Sequence, residues 1–202
     1  MDEISTIDQL EQLYGDVARP SVIKETEHLT AEYQAIIQAS PFFVLASSGR
    51  TGLDCSPRGD QAGFVRVQDK RTLMVPDRRG NNRIDTLRNI VEDPRVALLF
   101  LVPGMGETLR VNGTATIHAN PELLREFSVG DKIPRTVIRV SVKAAYFQCS
   151  RAVLRSKLWS TDAQVDRASL PSCGTILGAI ESDLDGEAYD EALPERLRTT
   201  LY

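Results

Sequence analysis

The chain has 202 residues, of which 42% are hydrophobic and 26% charged, and its formal charge is -4. That length allows one domain of about 150 residues with extensions, and a core that needs no metal or disulfide. The mild acidic balance excludes a surface broadly attractive to nucleic acid or anionic membrane. No apolar run reaches the roughly 18 residues of a spanning helix.

Residues 4–17 carry Ile7, Leu10, Leu13 and Val17 at helical spacing and predict a first amphipathic helix. Leu29, Tyr33, Ile36 and Ile37 share one face of a second. It stops before Pro41, because proline disfavours helix at the residue preceding it. Residues 42–47 and 53–56 flank the turn cluster Ser48-Gly49-Arg50-Thr51-Gly52 and read as a hairpin. Residues 64–67 and 72–75 read as another. Ile84, Leu87, Ile90 and Val91 repeat at helical spacing up to Asp93-Pro94. Residues 96–102 form a continuous apolar run, a strand buried on both faces or nearly so. Residues 109–117 return as a strand after Pro103-Gly104-Met105-Gly106, and Pro121 opens a short helix. Residues 137–147 alternate apolar and polar, the period of a half-buried strand. Residues 181–195 are acidic and read as a solvated tail.

Six or seven strands joined by tight turns, with two or three helices between them, predict an antiparallel sheet closed into a small barrel. The expected organisation is an N-terminal helical extension over residues 1–40, a barrel domain over 41–160 and an acidic extension over 161–202. The first residues lack a basic segment followed by an apolar run, so no signal peptide is expected. The 3 cysteines, Cys55, Cys149 and Cys173, are scattered and form no C-x-x-C. This pattern suits reduced thiols in the cytoplasm. The 2 histidines, His28 and His118, are too few and too far apart to suggest zinc.

Four stretches carry chemistry. Ser56-Pro57-Arg58-Gly59 ends a strand with a guanidinium beside a glycine, which suits an approaching anion or a plain turn. Asp77-Arg78-Arg79-Gly80-Asn81-Asn82-Arg83 precedes a helix. Three arginines at a helix N-terminus oppose its dipole unless an anion is bound there, so this stretch predicts a phosphate site. Thr108, Arg110 and Asn112 share one face of a strand, either as readers of a polar ring edge or as the wet side of a sheet. Arg155, Lys157 and Trp159 place an indole beside cations, either as a seat for a planar anionic ring or as a core tryptophan beneath a basic helix face. No P-loop, G-x-S-x-G elbow or dinucleotide glycine loop is present. Gly49-Arg50-Thr51-Gly52 has GXXG spacing, but its hairpin setting is wrong for an RNA-binding KH loop.

Taken in order, S-P-R-G-D, G-F-V, L-x-V-P-D-R-x-G-N-N-R, D-P-R-V, L-L-F-L-V-P-G, E-T-L-R-V-N-G and R-S-K-L-W span about residues 41–159. This series resembles the pyridoxamine 5'-phosphate oxidase-like family of flavin-binding split barrels, in its uncharacterised bacterial subfamily. The resemblance implies a mainly β (α+β) fold, a six-stranded antiparallel split β-barrel with flanking helices. It also implies a cytoplasmic homodimer with one FMN in each groove between subunits. Arg58, Asn82 and Arg83 would hold the phosphate, with Asn81 beside them. Phe64, Val65, Val75, Pro76 and Asp77 would line the isoalloxazine through backbone and side chains. Thr108, Lys157 and Trp159 would complete the groove, with the second subunit as one source, and Arg110 or Lys157 would place a cation near the N1–C2=O edge of the flavin.

The implied activity is an FMN-dependent oxidoreductase acting on a small molecule, with no side chain compelled to be the catalytic acid or base. Binding of F420, using Arg78 and Arg79 for its longer tail, is an alternative within the fold. A non-catalytic flavin- or haem-binding module is another. The R-x-V-L-L-K segment and the C-terminal R-x-H motif of the true oxidase are missing, so oxidation of phosphopyridoxamine is not implied.

Overall fold

The computed structural model describes residues 3–202. The N-terminal part holds three helices, α1 (Ile7–Tyr14), α2 (Arg19–Ile23) and α3 (Ala31–Ala39). A capping box starts α1: Gln9 N–H donates to the Thr6 hydroxyl, and the Gln9 side chain accepts from the Thr6 backbone. No α1 residue is buried. Thr30 caps α3 by accepting from the Tyr33 amide. Leu29, Tyr33 and Ile37 enter the main core, so the end of the predicted N-terminal extension is part of the barrel's packing.

Seven strands follow: β1 (Phe42–Gly49), β2 (Gly52–Gly59), β3 (Arg66–Asp69), β4 (Thr72–Asp77), β5 (Arg95–Leu101), β6 (Thr108–His118) and β7 (Thr136–Gln148). All pairings are antiparallel, in the order β2-β1-β5-β6-β7-β4-β3. The residue pattern already allowed seven strands where the family resemblance implied six. The closed barrel expected from the sequence is not formed by backbone pairing: the hydrogen-bonded ladder is open, with β2 and β3 as its edges. Pro57 sits on edge strand β2, where its missing N–H costs no ladder bond. That placement carries β2 three residues past the expected end at Ser56, out to Gly59.

The sheet curls around a core in which Phe43 packs on Phe100 and Phe64, with ring centroids 4.9 and 5.8 Å apart. β5 alternates buried Val96, Leu98 and Phe100 with half-buried neighbours, so one of its faces is more deeply covered than the other. A bulge between Asn112 and Gly113 bends β6. A Cβ at Gly113 would lie 2.2 Å from the Ser141 carbonyl oxygen, so the bend requires glycine.

Helix α4 (Asp85–Glu92) lies on the β1–β2 hairpin, where its buried Asn89 donates to the Ser47 hydroxyl at 3.1 Å. α5 (Pro121–Arg125) and α6 (Arg151–Ser156) flank β7 in sequence. Beyond short 3-10 turns, α7 (Cys173–Ile180) and α8 (Gly186–Thr200) form a helical hairpin. The acidic stretch is helical over much of its length, and its residues stay mostly exposed, as expected of a solvated surface. Its acidic residues have local work: Asp185 caps α8 by accepting from Ala188 N–H, and Asp190 accepts from Gly174 N–H at 2.8 Å.

Candidate functional site

The curl of the sheet brings the end of β2 to the end of β4, two strands not paired in the ladder. Side chains span this seam. Arg58 Nη2 lies 3.7 Å from Asp77 Oδ1, and Arg78 Nε donates to Asp60 Oδ2 at 2.6 Å. A cleft of about 870 Å³ opens here, bounded by β2, the loop from β4 into α4, and the residues leading into β7. Of the predicted phosphate residues, Arg58, Asn81, Asn82 and Arg83 all line it, and Asp77 joins them.

The loop into α4 has an unusual backbone. Asn82 and Ile84 have φ of 61° and 55°, and Ile84 is the N-cap of α4. A β-branched residue in the left-handed region is a genuine outlier, and such conformations cluster at ligand clamps. Ile84 has no side-chain oxygen, so it leaves the first amides of α4 without a side-chain cap. Asp85 stands in the first helical turn, and Asp54 accepts a hydrogen bond from the Thr86 hydroxyl.

Most cations around the cleft are already engaged. Arg83, largely exposed, donates from Nε to Asp85 at 2.8 Å, and its backbone N–H donates to Asn81 Oδ1. Asn82 Oδ1 accepts from Arg135 at 3.4 Å. Arg78 donates to Asp60 and, at 2.6 Å from Nη1, to the Phe127 carbonyl. Among the described residues, Arg79 has no carboxylate partner. Arg58 is less satisfied than Arg78: its Nε is buried and has no hydrogen-bond partner, and the same is true of Thr136 Oγ1 in the same cleft. Burial pushes the Asp77 carboxyl above its usual range, although the Arg58 charge pulls the other way. At 3.7 Å the ion pair is too loose to offset desolvation.

The remaining predicted residues lie elsewhere. Val65, Val75 and Pro76 are buried, and Phe64 packs against Phe43. Val65 and Val75 belong to the main core, whereas Pro76 points to the opposite face of β4 from Val75, and Phe64 and Val65 precede β3, which runs from Arg66 and not from residue 64 as expected. Thr108, Arg110, Lys157 and Trp159 do not line the cleft. Arg110 donates to the Tyr146 hydroxyl at 3.0 Å, and the Trp159 indole N–H donates to the Met105 carbonyl at 2.7 Å. Lys157 ends α6 with φ 52°.

Several cleft residues lie outside the four stretches that carry chemistry in the sequence. Thr136, Arg135 and Lys132 come from the segment before β7, where Asp131-Lys132-Ile133-Pro134-Arg135 was a second basic cluster that could have been noticed. Tyr202 also lines the cleft and had no local signal at all. No group of three or more potential metal ligands exists among the described residues. No helix among them is long and apolar enough to cross a membrane.

A family model described as "Pyridoxamine 5'-phosphate oxidase" matches residues 29–149. No curated protein matches the sequence. Among solved structures, the HupZ protein of Group A Streptococcus is 19% identical, with TM-score 0.50, and the match covers 60% of this chain and 94% of that one. General stress protein 26 of Bacillus anthracis is 17% identical, with TM-score 0.43, covering 56% and 88%. An FMN-binding protein of Syntrophomonas wolfei is 8% identical, with TM-score 0.43, covering 70% and 95%.

Proposed function

The chain belongs to the pyridoxamine 5'-phosphate oxidase family, and from that premise we propose that it is an FMN-dependent oxidoreductase acting on a small organic molecule. The observation that carries this reading is the unpartnered Arg58 Nε, buried with Thr136 Oγ1 in the cleft at the start of α4. A buried guanidinium N–H and a buried hydroxyl are costly when unpaired. The oxygens of a phosphate group would offer each of them a partner.

In this reading Arg58, Thr136 and the uncapped amides of α4 bind the phosphate, and Asn82 and Arg83 close over it. The backbone of β4 from Val75 to Asp77 supports the ring edge. FMN supplies the chemistry, a hydride or single-electron exchange on its ring, while the protein orients and tunes it. The protein acts as a homodimer in a reducing cytoplasm. Dimerisation brings Thr108, Arg110, Lys157 and Trp159 to the groove, where a cation near the ring favours its anionic reduced form. The three free, exposed cysteines fit a reducing compartment.

The test is titration of the protein with FMN and with riboflavin, which lacks the phosphate. The expected result is a yellow complex with FMN and binding of riboflavin at least tenfold weaker. Indifference to the phosphate, or a haem Soret band in the purified protein, overturns the reading. Turnover with a reduced nicotinamide cofactor then separates an enzyme from a carrier.

A further inference from the structure

The cleft is walled almost entirely by charged, amide and aliphatic groups, and Tyr202 is the one aromatic side chain among its described lining residues. Tyr202 follows α8, well outside the segment 29–149 that defines the family. It is nonetheless tied to the seam. Its hydroxyl donates to Asp60 Oδ1 at 3.0 Å. The Asp60 side chain is only 4% exposed, and it accepts also from Arg78 Nε and the Gln61 amide. The Arg78 guanidinium lies 5.9 Å from the centre of the tyrosine ring. Through Phe127 O, Arg78 is anchored to the chain beyond α5. A nearly buried carboxylate with three donors is a fixed point, so the ring it holds is fixed as well.

We propose that Tyr202 is the aromatic wall of the ligand site, stacking on the planar ring whose phosphate Arg58 holds, with Asp60 and Arg78 as positioning residues. The proposal rests on the flavin reading. It assigns ring recognition to a residue outside the family-defining segment. A phosphate cradle alone cannot select a flat heteroaromatic ligand, whereas stacking on a π-face can. The hydrogen bond to Asp60 also makes the phenol harder to ionise, so the wall stays neutral at physiological pH.

The experiment compares wild-type protein, Tyr202→Phe and Tyr202→Ala by FMN titration, by the fluorescence of the bound flavin, and by competition with inorganic pyrophosphate. Stacked tyrosine quenches flavin emission by electron transfer, and phenylalanine does not. The expected result is about tenfold or greater loss of FMN affinity in Tyr202→Ala, in line with the worth of one stacked ring. Tyr202→Phe should bind FMN within severalfold of wild type, yet with brighter bound flavin. Pyrophosphate should compete equally well in all three proteins. Equal FMN affinity and equal emission in the three overturns the proposal while leaving the flavin reading intact. Failure of wild-type protein to bind FMN overturns both.

Discussion

Arg58 on β2 stands 3.7 Å from Asp77 on β4, although four strands separate β2 from β4 in the ladder β2-β1-β5-β6-β7-β4. The contact crosses the seam where the curled sheet fails to close by backbone hydrogen bonds. Together with Arg78–Asp60, it replaces main-chain pairing with side-chain ion pairs and leaves the cleft between them. The place where the barrel is split is thus also the place where cations gather.

Replacing Asp77 by Asn should change both stability and ligand affinity. The Asp77 carboxyl titrates above its ordinary 3.8 because burial disfavours the charge. Its proton therefore stabilises the fold fully below about 3.8, and that contribution is lost as pH rises through the folded-state value. Thermal midpoints of the wild type relative to Asp77→Asn should fall across this window and then level off. At neutral pH the variant should be at least as stable as the wild type. It should also bind FMN more tightly, because Arg58 loses its competing anion. A midpoint difference that does not vary with pH contradicts the burial argument.

The two arginines named from the sequence should not contribute equally. The Arg83 side chain is 76% exposed and paired with Asp85, whereas that of Arg58 is 22% exposed with its Nε unpartnered. Arg58→Ala should weaken FMN binding by about 1.5–3 kcal/mol, the worth of a charge-assisted hydrogen bond. Arg83→Ala should cost about 1 kcal/mol or less, as exposed charges do. Arg58→Lys should not restore affinity, since the ammonium has no Nε and no planar fork. The ranking is read directly from dissociation constants.

Three local signatures show what short-range reading reaches. Pro41 ending a helix, Gly49 to Gly52 turning a hairpin, and alternation along residues 137–147 are short-range physics, and the strands stand where those signals put them. The cluster at residues 77–83 was singled out by its composition, which opposes the helix dipole, and it does line the cleft. What could not be read was how distant segments meet. Arg78 looked available for a ligand, but its partner Asp60 lies eighteen residues away across the seam. Thr136 and Tyr202 reach the cleft only through the curl of the sheet and the path of α8. The signal at residues 64–67 put a strand two residues too early, since β3 spans Arg66–Asp69 and Phe64 and Val65 lie in the loop before it.

The bulge in β6 supplies a stability test that leaves the cleft's lining untouched. Gly113 faces the Ser141 carbonyl so closely that a methyl group would sit at 2.2 Å, against backbone that cannot give way. Gly113→Ala should cost about 1–3 kcal/mol, the range for overpacking in a well-packed interior. In urea denaturation the midpoint should drop while the slope stays constant, because the surface exposed on unfolding is unchanged. A variant as stable as the wild type would place the bulge elsewhere.

The helical hairpin α7–α8 should be separable from the barrel, and its separation should register at the cleft. Gly174 and Gly186 let the two helices touch backbone to backbone: a Cβ at Gly174 would lie 1.9 Å from the Gly186 carbonyl oxygen and 2.6 Å from Asp190 Oδ2. Gly174→Val must push α8 away and break the Gly174 N–H to Asp190 bond. Hydrogen exchange should accelerate over residues 173–200 while the amides of β1, β5 and β6 stay protected, since independent units open independently. Because Tyr202 reaches Asp60 only by way of α8, FMN affinity should fall toward that of Tyr202→Ala, although residue 174 lines no part of the cleft. Loosened helices with undiminished FMN binding would mean that Tyr202 keeps its place without α8, and the link from hairpin to cleft would be refuted.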